Sequence, residues 1–547
     1  MSMFTALPDW ETLSLAEQVA QMVVVRVSGY LFDQQIRYPA WEPSAAVLRH
    51  WVEDLGVGGV ILLGGSAAEV GLRSHQLQDW AAIPLLICAD IEEGVGQRFS
   101  GATWFPPPMA LGAVATQAGA SQALEQAIAH AEIMGATTAQ EALAIGINWL
   151  LAPVVDVNNN PTNPVINVRA FGDTPALVSQ LATAFLRGAQ RHPVLTCAKH
   201  FPGHGDTSTD SHLELPLIPH SLERLDAVEL PPFKAAIAAG VDAIMSAHLL
   251  IPAVDSEYPA TLSRPFLTGQ LRQRLGFEGL IVTDALVMGA ITNRYGATEA
   301  PVLAVEAGAD ILMMPVDPEG AIAAICDAVN SGRISPEQIR ASVARIWQAK
   351  QKVCTHLTGN TSHAWETLPP PLIQLDRIAQ PAALSAVAAS LRQSMQVHQP
   401  AASRLHHPKW AKPLRNLIVL DDALDREFLG HHTAAIALPQ KRGYTLQILD
   451  SHTPPIPLDP DTTDGQPTLL QLFIRGNPFR GSAGLNQVAK DWFEYLLRSD
   501  QLQALVIYGS PYILNQFVPQ LPADVPYVFT YGQMPQAQAI ALEALFE

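Results

Sequence analysis

The chain has 547 residues, too long for one ordinary domain, so two or three are expected. With 48% hydrophobic and only 15% charged residues it is a globular protein with large buried cores. Its net charge of -18, without basic clusters, argues against a nucleic-acid or anionic-membrane partner.

The chain opens on "MSMFTALPDWETLSLAEQVAQMVVVRV", which lacks a basic segment and meets Asp9 and Glu11 early, so no signal peptide is expected. No run of eighteen apolar residues follows anywhere, and the expected location is the cytoplasm. Cys88, Cys197, Cys326 and Cys354 lie far apart, three of them within apolar segments. That distribution suits free thiols in a reducing compartment better than a disulfide framework.

Up to about residue 352, short apolar or β-branched runs alternate with longer amphipathic ones. The predicted strands are 22–27 (MVVVRV), 58–65 (GGVILLGG), 84–91 (PLLICADI), 147–157 (INWLLAPVVDV), 194–201 (VLTCAKHF), 242–250 (DAIMSAHLL), 280–286 (LIVTDAL) and 309–316 (ADILMMPV). Near-continuous apolar runs are what parallel strands covered on both faces require. Between them lie helical patterns such as "SQALEQAIAHAEIMGATTAQEALAIG", "PALVSQLATAFLRGAQR" and "SPEQIRASVARIWQAKQK". The last begins with a capping Ser335, then Pro336 and Glu337. Glycine closes the helices in "AIAAGVDAIM" and "AVEAGADILM". Eight such units predict a (β/α)8 barrel over 1–352. A doubly wound open sheet is the alternative, disfavoured by the count of eight and by the lack of a glycine-rich dinucleotide fingerprint after the first strand.

Residues 353–412 are irregular and proline-rich and are expected to form a linker. Residues 413–547 then predict a smaller α/β domain, with a possible start near 378. Its strands are "LRNLIVLDD", "TLLQLFIRG", "LQALVIYGS" and "VPYVFTYG", alternating with "NQVAKDWFEYLLRSD" and "MPQAQAIALEALFE". The chain contains no internal repeat.

Isolated polar residues end the buried strands of the first domain: Asp90, Asp156, Lys199, His200, His248 and Asp284. Burying such groups singly is costly, but at the C-terminal mouth of a barrel they converge on one wet pocket. The fifth strand runs into "KHFPGHGDTSTDSH", the densest polar stretch of the chain. Three readings are open for it: a metal cradle, an acid/base device, or a polar loop rich in histidine. His204, Asp206, Asp210 and His212 are ligand types for zinc, but two histidines on one helix face, a cysteine pair and a His-x-His on the first strand are all missing. Asp210 and His212 stand at i, i+2, close enough for the carboxylate to fix the imidazole tautomer and leave the other nitrogen for proton transfer. Lys199 and His200 suit donors to a hydroxyl-rich substrate. With Asp284 as a carboxylate at the top of a buried strand, a nucleophile and a proton donor for glycosyl transfer are both present.

At "KHFPGHGDTSTDSH", "IVTDALVMGAI" and "LAPVVDVNNNPTNPVINVRAFG" the chain resembles glycoside hydrolase family 3, most closely its bacterial β-N-acetylglucosaminidases, over roughly residues 10 to 350. The C-terminal part, with "IYGSPYILNQF", is similar to that family's αβα sandwich domain. The resemblance implies Asp284 as nucleophile, His212 paired with Asp210 as acid/base, and Asp90, Arg98, Arg169, Lys199 and His200 as sugar contacts. It implies no cofactor and no metal. Two segments depart from the family pattern. "DIEEGVGQR" carries Glu93 and Gly96 within a usual D-x-E-G-G-x-V-x-R, and "NPVINVRAF" carries Asn167 and Ala170 where glycine and serine are usual. The expected activity is retaining exo-hydrolysis of terminal β-linked N-acetylglucosamine from cell-wall-derived glycans, a small glycan or muropeptide being the partner. Transfer of the sugar to phosphate, a β-glucosidase-type activity and a sugar-binding protein without catalysis are the alternatives.

Overall fold

The computed structural model describes residues 7–117, 120–354, 373–406, 413–423, 428–454, 465–475 and 487–547. Eight parallel strands form the first sheet: β1 (Val23–Ser28), β2 (Gly59–Leu63), β3 (Leu86–Ala89), β4 (Trp149–Leu150), β5 (Leu195–Phe201), β6 (Ala243–Ser246), β7 (Leu280–Val282) and β8 (Leu312–Met313). Each neighbours the next in sequence, and β8 pairs back onto β1 through Val23–Leu312 and Val24–Met313. The β7–β8 seam is held by a single bridge, Val282–Ile311, flanked by Asp310 N to Ile281 O at 2.7 Å. The sheet is therefore a nearly closed (β/α)8 barrel.

Apart from β1, which keeps six residues, the strands are shorter than their apolar runs, β4 most of all. Its predicted eleven residues, 147–157, reduce to a two-residue ladder. Pro153 has no N–H to donate, so beyond Leu150 the chain follows β5 through single bonds such as Val155 N to Lys199 O, 2.8 Å. The helices match their patterns closely: Ala120–Ala144, Pro175–Ala189 and Pro336–Cys354. Ser335 Oγ accepts from Gln338 N at 3.2 Å, and Gly240 and Gly308 take left-handed φ of 76° and 113° at helix ends. Ala120–Ala144 and Pro175–Ala189 cross on glycines. A Cβ on Gly135 would lie 2.1 Å from Phe185 O, and one on Gly188 only 1.9 Å from Glu132 O.

Within 353–412, the described part is not wholly irregular. It forms the helix Pro381–Ser394 and a strand, β9 (Gln396–His398). β9 is the antiparallel edge of the second sheet, whose other strands are parallel: β10 (Leu414–Val419), β11 (Tyr444–Leu449), β12 (Thr468–Ile474), β13 (Leu502–Gly509) and β14 (Tyr527–Thr530). The order is β11-β10-β12-β13-β14-β9. Alternate residues face opposite sides. Leu470, Leu472, Leu505 and Ile507 pack with Trp492 and Phe493, while Leu469, Phe473, Val506 and Tyr508 pack with Ile436 and Leu542. The result is an αβα sandwich. It docks on the barrel through Met109, Ala110 and Val168, which belong to the core on the Trp492 side. Among the described residues, no helix is long and apolar enough to cross a membrane. Cys88, Cys197 and Cys326 are free thiols; the side chain of Cys354 lies outside the described residues.

Candidate active site

The barrel strands deliver the predicted polar residues to one end. Lys199 and His200 close β5, and Asp90 directly follows β3. Arg169 ends a short turn, Asn167–Arg169, in the segment after β4, and Asp284 follows β7 by two residues.

Asp90, Arg98, Arg169, Lys199 and His200 form one hydrogen-bonded array, and its hub is a residue that the sequence reading did not single out. Lys199 Nζ lies 2.6 Å from Asp90 Oδ1 and 2.6 Å from Glu92 Oε1. The Glu92 carboxylate also takes a forked pair of bonds from Arg169 Nε and Nη2, both 2.8 Å. Arg169 Nη2 stands 3.5 Å from His200 Nε2, and Arg98 Nε donates to the Asp90 carbonyl at 3.0 Å. Two cations and two carboxylates thus offset one another, as buried charges must. Burial pushes the Glu92 carboxyl up, but Arg169 and Lys199 outweigh it and hold the group well below the usual range. Burial likewise lowers Lys199, and Asp90 with Glu92 reverses the sign. The sequence did contain a signal for Glu92: it is charged, stands two residues beyond Asp90, and directly follows the apolar run 84–91.

Asp156 organises the other side. Its Oδ2 bonds His200 Nδ1 at 2.7 Å, and its Oδ1 accepts from His204 N at 2.6 Å. That fixes the His200 tautomer, with the proton on Nδ1 and Nε2 turned toward Arg169. Asp284 is half-buried, and its Oδ1 accepts from Ala285 N at 2.7 Å. Burial raises its carboxyl, but the positive ends of His248, His200 and His212 and the Ala285 amide carry it down to about 2. His248 is itself pushed toward neutrality by burial, so near neutral pH it acts more as a dipole than as a full charge. The direction stands either way: Asp284 is ionised at neutral pH.

The β5 loop does not form the metal cradle. His204 is buried with both ring nitrogens engaged, Nδ1 with Thr207 Oγ1 at 3.0 Å and Nε2 with Ser211 Oγ at 2.9 Å. Asp206 turns away to His220, 2.9 Å. Asp206, His220 and Glu229 do present atoms within 4.8 Å of one another, but the Arg224 guanidinium sits against both carboxylates, 3.5 and 3.2 Å away, and already offsets their charge. Asp210 and His212 form the pair that their spacing predicts: Asp210 Oδ1 accepts both His212 N and Nδ1, each at 2.9 Å. Nε2 is the remaining ring nitrogen. The loop is tied to the β7 side through Gly289 N to His212 O, 3.0 Å, and His212 is close enough to Asp284 to influence its charge.

Two of the departing positions acquire partners in the second domain. Asn167, at φ 45°, accepts from Ser510 Oγ at 3.0 Å; asparagine is among the few side-chain-bearing residues that tolerate this region. Glu93 pairs with Arg475.

Comparison with known proteins agrees with this architecture. Residues 14–349 match the glycosyl hydrolase family 3 N-terminal domain, and residues 407–547 match the bacterial glycosyl hydrolase family 3 C-terminal domain. β-Hexosaminidase A of Pseudoalteromonas piscicida is 35% identical over 324 residues, covering 53% of this chain and 53% of that protein. The β-N-acetylglucosaminidase/β-glucosidase of Cellulomonas fimi is 32% identical over 323 residues, 57% of this chain and 55% of that one. The chain therefore spans about half the length of these two curated relatives. A family 3 β-N-acetylglucosaminidase structure from Paenibacillus sp. str. FPU-7 aligns over 98% of this chain and 97% of its own, with 31% identity and a TM-score of 0.74. With both of its sheets and both of its domains matched, the chain belongs to glycosyl hydrolase family 3.

Proposed function

We propose that the chain is a retaining exo-β-N-acetylglucosaminidase that releases terminal β-linked N-acetylglucosamine from cell-wall-derived glycans. The observation that carries this reading is Asp284, an ionised carboxylate at the barrel mouth, together with an oriented Asp210–His212 pair on the loop beside it. In this reading an Asp284 oxygen attacks the anomeric carbon while His212, entering the step protonated on both ring nitrogens, gives its Nε2 proton to the departing glycosidic oxygen and is left neutral with the proton on Nδ1. Asp210 holds the Nδ1 proton and stabilises the imidazolium when it forms. His212 then takes a proton from the incoming water, which attacks the anomeric carbon and releases Asp284. Asp90, Arg98, Arg169, Lys199 and His200 hold the sugar hydroxyls, with Glu92 ordering the two cations among them. The names of the relatives support the 2-acetamido sugar, and the paired name of the Cellulomonas protein keeps a glucoside as second substrate. Free thiols at Cys88, Cys197 and Cys326 support a cytoplasmic setting.

The test is a set of p-nitrophenyl β-glycosides with and without a 2-acetamido group, assayed in phosphate and in a phosphate-free buffer. Release of N-acetylglucosamine in both buffers is expected; N-acetylglucosamine 1-phosphate as the main product in phosphate makes the chain a phosphorylase instead. A 2- or 5-fluoro sugar should leave its label on Asp284, and Asp284→Ala should lower turnover by several orders of magnitude with folding retained. Label on another carboxylate overturns the assignment.

A further inference from the structure

Arg475 follows the C-terminal end of β12 in the second domain, and its guanidinium forks onto Glu93 of the barrel. Nη2 lies 2.6 Å from Oε1 and Nη1 3.2 Å from Oε2. Glu93 is fully buried, and Arg475 is partly buried, with 20% of its side chain exposed. From the barrel, Glu93 Oε2 receives the Trp104 indole N–H at 2.9 Å. The barrel thus contributes a neutral donor, and the second domain contributes the positive charge that a buried carboxylate requires.

The second domain touches the same loop with aromatic rings. Trp104 meets Phe428 edge-on, centroids 6.2 Å apart; Phe428 stacks on Phe473 of β12 at 5.7 Å, and Phe473 on Tyr508 of β13 at 4.2 Å. A stack rooted in the sandwich core therefore ends on the residue that shares Glu93 with Arg475. On the barrel side Glu93 knits its loop: its N–H donates to Gln97 Oε1 at 3.0 Å, and its carbonyl accepts from Phe105 N at 2.8 Å. The residue before it is Glu92, which carries Lys199 and Arg169 on one carboxylate. Neighbouring residues share one rigid peptide unit, so a shift of Glu93 is passed directly to the Glu92 backbone.

We propose that Arg475 is a positioning residue: through Glu93 it fixes the loop 90–98 and hence the Glu92 carboxylate that orders Lys199 and Arg169. The second domain thereby acts as a brace for the sugar pocket, and not only as a neighbour of the barrel. The proposal rests on the reading that these residues hold the sugar.

The experiment compares the full-length wild-type chain with Arg475→Ala and Arg475→Lys by three measurements. These are amide hydrogen exchange over residues 90–105, thermal unfolding, and steady-state kinetics on p-nitrophenyl N-acetyl-β-glucosaminide. Arg475→Ala should speed exchange in the loop at least about tenfold while amides of β6 and β7 keep their protection. KM should rise about tenfold with kcat within about threefold, and Arg475→Lys, which keeps the charge but not the fork, should recover part of the loss. Loop exchange equal to wild type, with only the unfolding temperature lowered, makes the pair a plain tether and overturns the proposal. If the wild-type chain cleaves none of the aryl glycosides, the functional reading falls, and the exchange data still decide whether Arg475 braces the loop. Should Arg475→Ala fail to fold, Glu93→Gln sheds the buried charge but keeps a carbonyl for the indole. The same rise in exchange is expected from it, and unchanged exchange refutes the brace.

Discussion

At the scale of single residues, the site depends on which nitrogen of each histidine is engaged. His200 and His212 both turn Nδ1 to an aspartate, Asp156 and Asp210, while His204 spends both nitrogens on Thr207 and Ser211. Of the two with a ring nitrogen turned from an aspartate, His212 is on the loop and His200 faces Arg169. The proposed role of His212 as proton donor makes a specific prediction. A general acid matters less as the leaving group becomes more acidic. His212→Ala should therefore cripple cleavage of natural glycans and largely spare an aryl glycoside with a highly acidic phenol, and Asp210→Ala should show the same pattern more mildly. A leaving-group dependence no steeper in His212→Ala than in wild type, measured across a series of phenols, places the acid elsewhere. The same scale explains why Glu92 was not legible as a hub. Its i+2 spacing from Asp90 was visible, but the two cations that it joins come from residues 77 and 107 positions away.

At the scale of elements, the β5 loop is shaped by two glycines for different reasons. Gly203 sits at φ 134°, a region that side chains avoid, and a Cβ there would also meet Glu229 Cβ at 2.7 Å. Gly205 has no such torsion; instead a Cβ would lie 1.8 Å from Val157 O, against backbone that cannot yield as a side chain tip can. Asn163 Nδ2 clasps the same turn, donating to His204 O and Gly205 O at 2.8 and 2.9 Å. Gly205→Ala should therefore cost about 1–3 kcal/mol by forcing the loop off the β4 exit, and should lower activity because Asp210 and His212 ride on that loop. Urea unfolding checks the first effect and turnover the second; a variant with wild-type values in both removes the close approach from the account. The sequence shows both glycines in this loop. It did not show that one of the glycines serves contact rather than torsion, because the Val157 carbonyl belongs to another strand's exit.

At the scale of the whole molecule, stability should fall with acid, and the sign follows from His204. Burial pushes its imidazole down to about 4, outweighing the nearby Asp156 carboxylate, whereas an unfolded histidine titrates near about 6.5. Between those values the unfolded chain binds a proton that the native chain refuses, so stability drops as pH falls from about 6.5 toward about 4. One such group contributes a slope of up to about 1.4 kcal/mol per pH unit. His248 and His192 are also lowered by burial and add to the slope. In His204→Gln the unfolding free energy should vary less steeply across this window, though not flatly. An unchanged slope in denaturant titrations at pH 4.5, 5.5 and 6.5 removes His204 from the acid response. Below that window Asp284 contributes in turn: its carboxyl, held at about 2, adds stability that is present above the unfolded value near 3.9 and lost as pH falls toward 2.

The sequence by itself determined the strand–helix alternation of the first domain, the eight-unit barrel and the local Asp210–His212 pair. Each of these is carried by apolar runs of strand length, by helical periodicity with its caps, or by residues two positions apart. In the second domain the sequence reading missed β11 as well as β9. Tertiary structure alone decided what lies between distant segments. β4 shrank because Pro153 broke its ladder, and the edge strand β9 came from the stretch expected to be a linker, since a strand of three residues pairs only where a neighbour offers an edge. Glu92 became a hub, and Glu93 met Arg475, 382 residues away, because the barrel and the sandwich brought their strand ends together. A charge in the sequence shows that a partner must exist if it is buried; only the packing of the whole chain supplies the one that reaches it.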